Sequence, residues 1–441
     1  MCVRSHAYAD RRGRISFTRV AAALSGRSGA SCIAARISIH ICILARRKRR
    51  RTATACICKD ANASMARFHE QHFPFLLKHY KLIYYATPEA AAGGIPNPTR
   101  KTFAMPRFAL RMSMFAIAAA CSASSFAQAP AAPDTQLAFS HANQMVDIGG
   151  RRLNLYCSGS GANTVIFDSP SGMGGWVWHA VQPEVAKQTR ACVFDRAGMG
   201  FSDPAERPNT SQNVVEDLHA ALGKAGIAPP YVLVGNSFGG GNIQLFAYRY
   251  PNEVKGLVLV EAQHEDEIDR MNVVSKGKLK EMSAMLTEYG KTCEAQSTKG
   301  FVPGSELFAN CTGGFQPEFG RALNAAYLAS LTSPAYWRAR NAEEDAFETS
   351  NAQLRAARRP FGDLPLMVLT RSVSPYAIPG KPQSELNKAT EKENLAIHQE
   401  MAALSTRSTH RVVPGAGHLI QADKPQAVVK AVTDLLAQIK P

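Results

Sequence analysis

Ser237 is the residue from which covalent chemistry could start. It stands in Val234-Gly235-Asn236-Ser237-Phe238-Gly239, a G-x-S-x-G spacing. The spacing is common by chance, so its surroundings carry the weight. An apolar run, Tyr231–Gly235, precedes it, and a helical segment containing Gly240 and Gly241 follows. A strand, a sharp turn and a helix in that order lift a serine hydroxyl into the open as a nucleophile. The bland alternative is a Gly-rich turn in which Ser237 only caps the helix. A serine hydroxyl is a weak nucleophile and needs a base. His418 is placed for that work: it closes Gly415-Ala416-Gly417-His418 after the last strand, Arg411–Val413, and before a helix opened by Pro425. His179 is a candidate pocket residue, as is Trp178. His264 lies just past a strand end, whereas His219, His398 and His410 read as surface or packing residues.

These side chains need a frame. Arg151–Cys157, Thr164–Asp168, Ala191–Asp195, Tyr231–Gly235, Gly256–Glu261, Leu366–Thr370 and Arg411–Val413 read as strands. Helical spacing covers Trp176–Lys187, Ser211–Gly226, Gly239–Tyr250 and Pro425–Ile439. Fully apolar strands alternating with helices predict an α/β fold, a mostly parallel sheet covered on both faces. Residues 265–360 break the rhythm: they are helix-rich and polar without a strand run. An insertion there, between two sheet strands, reads as a helical cap, with 128–264 and 361–441 as the core.

With these motifs in order, the chain resembles the α/β-hydrolases over residues 140–440. Asp195-Arg196-Ala197-Gly198-Met199-Gly200-Phe201-Ser202 is similar to that family's D-x-x-G-x-G-x-S turn, whose residues are mainly structural. The resemblance implies a Ser, acid, His order. It usually puts the acid after the seventh strand, where Leu366 to Pro375 offers no carboxylate. Some relatives use the end of the sixth strand instead, which favours Glu261, with Asp266, Glu265 and Glu385 as alternatives. It also implies an oxyanion loop after the third strand. Here Ser169-Pro170 stands where His-Gly is usual, and Pro170 has no N–H. The expected donors are the backbone N–H of Phe238 and one from Ser171 or Gly172. In this fold the second strand runs antiparallel beside the fourth, which makes Cys157–Cys192 credible and leaves Cys293–Cys311 to staple the cap.

The activity implied is hydrolysis of a small ester or amide through an acyl-enzyme. One alternative is an aminopeptidase of the proline iminopeptidase type, with Glu343, Glu344, Asp345 and Glu348 holding a substrate amine. Another is a non-catalytic binding protein on the hydrolase fold. Tyr327, Tyr336 and Trp337 are further aromatic residues that could line a pocket or fill the core. After residue 127 there is no H-E-x-x-H and no paired C-x-x-C, and the glycines near Ser237 suit the turn better than a dinucleotide, so neither metal nor cofactor is expected. Oligomeric state is left open.

Composition narrows the partners. The chain holds 51 Lys/Arg against 35 Asp/Glu, net +16, which at face value suggests a polyanion. Residues 1–104 carry 19 basic and 4 acidic residues, net +15, so the remainder is close to neutral. That argues against a nucleic-acid surface on the main domain. Met105-Pro106-Arg107 begins a basic stretch, Met112 to Ala120 is apolar, and small residues end at Ala127. This is the layout of a secretory signal peptide. It predicts translation from Met105, residues 1–104 as an over-extended reading frame, cleavage after Ala127 and a periplasmic or secreted product with no membrane span. Cys121 gives only a faint lipoprotein signal. Four cysteines follow Ala127, and in an oxidising compartment an even number suggests two disulfides; sequence alone leaves three pairings.

Overall fold

The computed structural model describes the strands Val3–Ala9 and Ile15–Ala21 and residues 136–378 and 380–439. The two N-terminal strands pair antiparallel. The signal segment at 105–127 and most of residues 1–104 lie outside the described residues.

The principal unit contains eight strands: β1 (Gln144–Asp147), β2 (Arg152–Ser158), β3 (Thr164–Asp168), β4 (Arg190–Phe194), β5 (Tyr231–Ser237), β6 (Val254–Ala262), β7 (Leu366–Arg371) and β8 (Ser408–Val413). Its helices are α1 (Gln182–Ala186), α2 (Ser211–Lys224), α3 (Phe238–Arg249), α4 (Glu267–Val274), α5 (Lys278–Lys299), α6 (Glu306–Thr312), α7 (Arg321–Leu331), α8 (Pro334–Asp345), α9 (Phe347–Ala357), α10 (Glu385–Ala402), α11 (Ile420–Asp423) and α12 (Pro425–Leu436). The strand order is β8-β7-β6-β5-β3-β4-β2-β1. β1 and β2 pair antiparallel, β2 pairs antiparallel with β4, and the other pairings are parallel.

The continuous apolar runs follow from burial on both faces. Successive residues of a strand point to opposite sides. Val232, Val234, Val258 and Val260 therefore join one core with Val428, Val432 and Leu435 of α12. Leu233, Leu257 and Leu259 join the other with Leu218 of α2, Phe246 of α3 and Met401 of α10. Truncating one of these leucines to alanine should cost ~2–5 kcal/mol.

The expected helix over Trp176–Lys187 is two pieces instead, a 3-10 turn at Gly175–Trp178 and α1. Pro183 lies in the first turn of α1, where its missing N–H does no harm, but it could not continue a helix from Trp176. Between β6 and β7 the regular elements of the described residues are all helices, α4 to α9, joined by turns and loops. Cys293 of α5 is disulfide-bonded to Cys311 of α6. Cys157 of β2 is directly opposite Cys192 of β4 and bonded to it. The end of the insertion rests on the core: the Ser350 hydroxyl of α9 accepts from the Ser211 N–H at 3.0 Å. Among the described residues, no helix is long and apolar enough to cross a membrane.

Candidate active site

β5 is buried through Asn236 and then turns sharply. Ser237 has φ 53° and ψ −121°, a conformation that L-residues rarely adopt. The turn needs close packing of the next helix on the sheet. A Cβ at Gly239 would stand 2.5 Å from the carbonyl oxygen of Asp168, so only glycine fits. Phe238 opens α3, and its N–H therefore has no intrahelical acceptor.

The neighbouring strand aims a carboxylate by a related device. Asn236 pairs with Val260, but Ser237 pairs with Ala262, so the register skips Glu261. Glu261 has φ 44°. Such a bulge re-aims one side chain out of the ladder. Glu261 Oε2 lies 3.5 Å from His418 Nδ1. The same oxygen accepts from Arg371 Nη1 at 2.5 Å, and Oε1 accepts from the Arg371 N–H at 2.7 Å. Burial alone would raise the Glu261 carboxyl. The Arg371 guanidinium, with lesser contributions from His398 and from the His418 hydrogen bond, outweighs it and holds the group well below the usual carboxylate range.

His418 is tied to the serine turn through the backbone. Asn236 Nδ2 donates to Val260 O at 2.8 Å and to His418 O at 3.1 Å, and Asn236 Oδ1 accepts from Gln421 Nε2 at 3.0 Å. Asn236 occupies the variable second place of G-x-S-x-G, which is why the motif did not single it out. Arg371 was also missed. It ends β7, the place searched for an acid, and supplies the counter-charge to an acid on β6 instead.

Of the four candidate acids, Glu261 is the one beside His418. Glu265 pairs with Arg358 at 2.8 Å, Asp266 with Arg355 at 2.6 Å, and Glu385 sits at the surface with Lys388. His264, Glu265 and Asp266 are close enough to share a cation. Arginine already engages both carboxylates, so the donor set does not suit one. Glu267, at the start of α4, also feels the charges of His418 and Arg371, but burial pushes its carboxyl up.

Several expectations around the pocket are corrected. The Gly172 N–H donates to Glu343 Oε2 at 2.9 Å, so it is not available to an oxyanion. Trp178 is fully buried and packs on Phe167 with ring centroids 5.1 Å apart; its indole fills the core rather than a pocket. His179 bonds Trp176 O through Nδ1 at 3.0 Å and meets Phe319 edge-on, and burial lowers its pKa. The acidic cluster considered for an amine is dispersed. Glu343 is buried against Arg196, Glu344 is half-buried near Arg340, and Asp345 and Glu348 face solvent, because adjacent helical positions point in different directions. Tyr327, Tyr336 and Trp337 are buried.

The turn after β4 behaves as its motif implied. Asp195 accepts from the N–H groups of Gly175 at 2.6 Å and Phe201 at 3.0 Å and from Asn154 Nδ2 at 2.9 Å.

Known proteins resemble this chain in sequence and fold. The chain is 32% identical over 119 residues to YbdG of Bacillus subtilis, an uncharacterised protein, covering 26% of this chain and 37% of that one. It is 39% identical over 127 residues to a 2-hydroxy-6-oxo-2,4-heptadienoate hydrolase of Pseudomonas putida, covering 27% of this chain and 44% of that one. The aligned stretches thus span less than half of either relative. The crystal structure of wild-type DBJA superposes with a TM-score of 0.50 at 17% identity, over 68% of this chain and 100% of that chain, a likeness of fold. The family model for the alpha/beta hydrolase fold matches residues 163–425, well over half of the sequence, and the chain belongs to that family.

Proposed function

We propose that this protein is an exported serine hydrolase that cleaves a small ester or amide through an acyl-enzyme. The observation that carries the reading is the Glu261–His418 pair at the same end of the central strands as the strained Ser237 turn. In this reading Glu261 accepts a hydrogen bond from His418 Nδ1–H, which fixes the tautomer and leaves Nε2 as the base. Ser237 Oγ attacks the carbonyl carbon as Nε2 takes its proton. The carbonyl oxygen becomes an oxyanion held by the backbone N–H of Phe238 and of Ser171, each contributing ~3–4 kcal/mol. His418 then protonates the leaving group, and water repeats the sequence on the acyl-enzyme. A haloalkane-type displacement would require a carboxylate where Ser237 stands.

Two disulfides support an oxidising compartment and hence export. The aminopeptidase reading loses its main support with the dispersal of Glu343, Glu344, Asp345 and Glu348. A fluorophosphonate probe tests the proposal against the binding-protein reading. Folded protein should be labelled at Ser237 and should hydrolyse p-nitrophenyl esters, and Ser237→Ala should lose both. A folded wild type that takes no label would exclude the mechanism.

A further inference from the structure

The loop after β3 departs from the family pattern, and a buried ion network compensates. Arg196, in the turn after β4, has five N–H donors, and all five are used. Nε donates to Glu343 Oε1 at 2.7 Å, and Nη2 donates to Glu343 Oε2 at 3.2 Å and to Pro170 O at 2.7 Å. Nη1 donates to Asp168 Oδ1 at 2.7 Å and to Ser169 O at 2.6 Å. The guanidinium also lies over the Phe238 ring, 5.4 Å from its centroid. Arg196 therefore touches both segments that would supply oxyanion donors. Its side chain is 1% exposed and that of Glu343 0%. A charge is tolerated at such depth only when paired and fully hydrogen-bonded.

Glu343 reaches this position from α8, in the helical insertion. Its Oε2 accepts from the Gly172 N–H at 2.9 Å and from Ser171 Oγ at 3.0 Å. Seven residues earlier on α8, on the same face, Tyr336 donates its hydroxyl to Gly172 O at 2.8 Å. One helix thus grips both sides of Gly172. Gly172 has φ +69°, and a Cβ there would stand 3.0 Å from Arg340 Cγ of that helix. Asn242 of α3 completes the network by donating to Asp168 Oδ2 at 3.0 Å.

We propose that Arg196 and Glu343 are positioning residues that set the Ser169–Gly172 loop, turning the Gly172 N–H away and leaving the Ser171 N–H to serve the oxyanion. The insertion then contributes to the reaction through α8. The inference rests on the serine-hydrolase reading and deepens it. Because a donor displaced by 1 Å can cost ~10²-fold in rate, the strut should control turnover more than substrate affinity.

The test compares wild type, Glu343→Gln, Arg196→Lys and Tyr336→Phe on a p-nitrophenyl ester, each checked by thermal melting. Two inhibitors of the same acyl shape are included: a trifluoromethyl ketone, which forms an oxyanion on Ser237, and a non-electrophilic ether, which does not. Glu343→Gln and Arg196→Lys should lower kcat by about 10- to 100-fold with KM within about threefold. The ketone should lose affinity by the same factor as kcat/KM, while the ether keeps its own. Tyr336→Phe, which removes one neutral bond and is the variant least prone to misfold, should show the same selectivity with a fall of about 3- to 10-fold. Folded variants with wild-type kinetics, or with equal losses for both inhibitors, would overturn the role of the strut and leave the hydrolase reading standing. A wild type that neither turns over ester nor labels at Ser237 would overturn the hydrolase reading itself, and the strut's role with it.

Discussion

Glu261 faces Arg371 on one side and His418 on the other, with His398 behind it at 3.5 Å. A carboxylate so placed is anionic throughout the working range, which the proposed role requires. Glu261→Gln keeps the shape and removes the charge that holds the histidine tautomer. It should lower kcat by ~10⁴-fold, and it should also lower the melting temperature, because buried Arg371 loses the more deeply buried of its two carboxylate partners and keeps only Glu391. Glu385→Gln, on an exposed carboxylate, should change neither; the reverse ranking of activities would refute the assignment. His398 offers a separate test. Burial lowers its pKa from 6.5 to about 4, against the pull of Glu261. Its other charged neighbours, Arg371 and His410, also disfavour its cation, and its Nδ1 is 2.9 Å from Thr370 Oγ1. Unfolded, His398 binds a proton below about pH 6.5; folded, only below about 4. Between those values the unfolded chain binds more protons, so stability rises with pH across the window and is lost as pH falls. Denaturant melts from pH 4 to 7 should show that slope, and His398→Asn should flatten it. An unchanged slope would mean that other histidines carry it.

The two strand ends at the site illustrate what an element adds to its residues. β5 ends on a non-glycine residue with positive φ, Ser237, and β6 has one, Glu261, just before its last residue; the bulge in β6 is what brings Glu261 round toward His418. The serine turn was legible because its glycines mark close packing in the sequence itself. The bulge was not, since Glu261 and Ala262 carry no signature of a skipped register. β1 and α10 were also missed, the first because it is a short edge strand and the second because α10 is largely polar. The disulfides are the clearest case of fold information resolving what counting could not: Cys157 and Cys192 are opposite one another only because β2 lies antiparallel beside β4. The α5–α6 bridge closes a separation of 18 residues, for which the chain-entropy model gives ~3 kcal/mol. Replacing Cys293 and Cys311 by alanine should lower stability by about that amount in denaturant titrations. Because the bridge lies in the insertion that delivers Glu343, kcat should fall with it. A variant with unaltered midpoint would show the bridge to be dispensable.

At the scale of the whole molecule, charge separates the chain into unequal parts. Nearly all of the +16 lies in residues 1–104, and residues 128–441 carry 30 basic and 31 acidic side chains. A net charge of −1 leaves residues 128–441 without the net positive excess that residues 1–104 carry, and polyanion binding would have to rest on a local cluster of cations. Several arginines of the folded part are held in ion pairs. Arg196, Arg371 and Arg270 each bind two carboxylates, and Arg151, Arg355 and Arg358 are each engaged by one. The sequence made this division visible because charge can be counted without a fold, whereas the internal pairing of the arginines depends on contacts across the whole sheet. On the export reading, the product isolated from the periplasm or medium begins at Gln128, contains two disulfides and passes through a heparin column at physiological salt. N-terminal sequencing and intact mass before and after reduction check the first two points directly. A product that retained residues 1–104 would instead bind heparin and elute only as salt rises, because its excess of 15 positive charges would still be present. That outcome would return the polyanion to the list of partners and remove the argument for export, while leaving the site built around Ser237, His418 and Glu261 to be judged on its own chemistry.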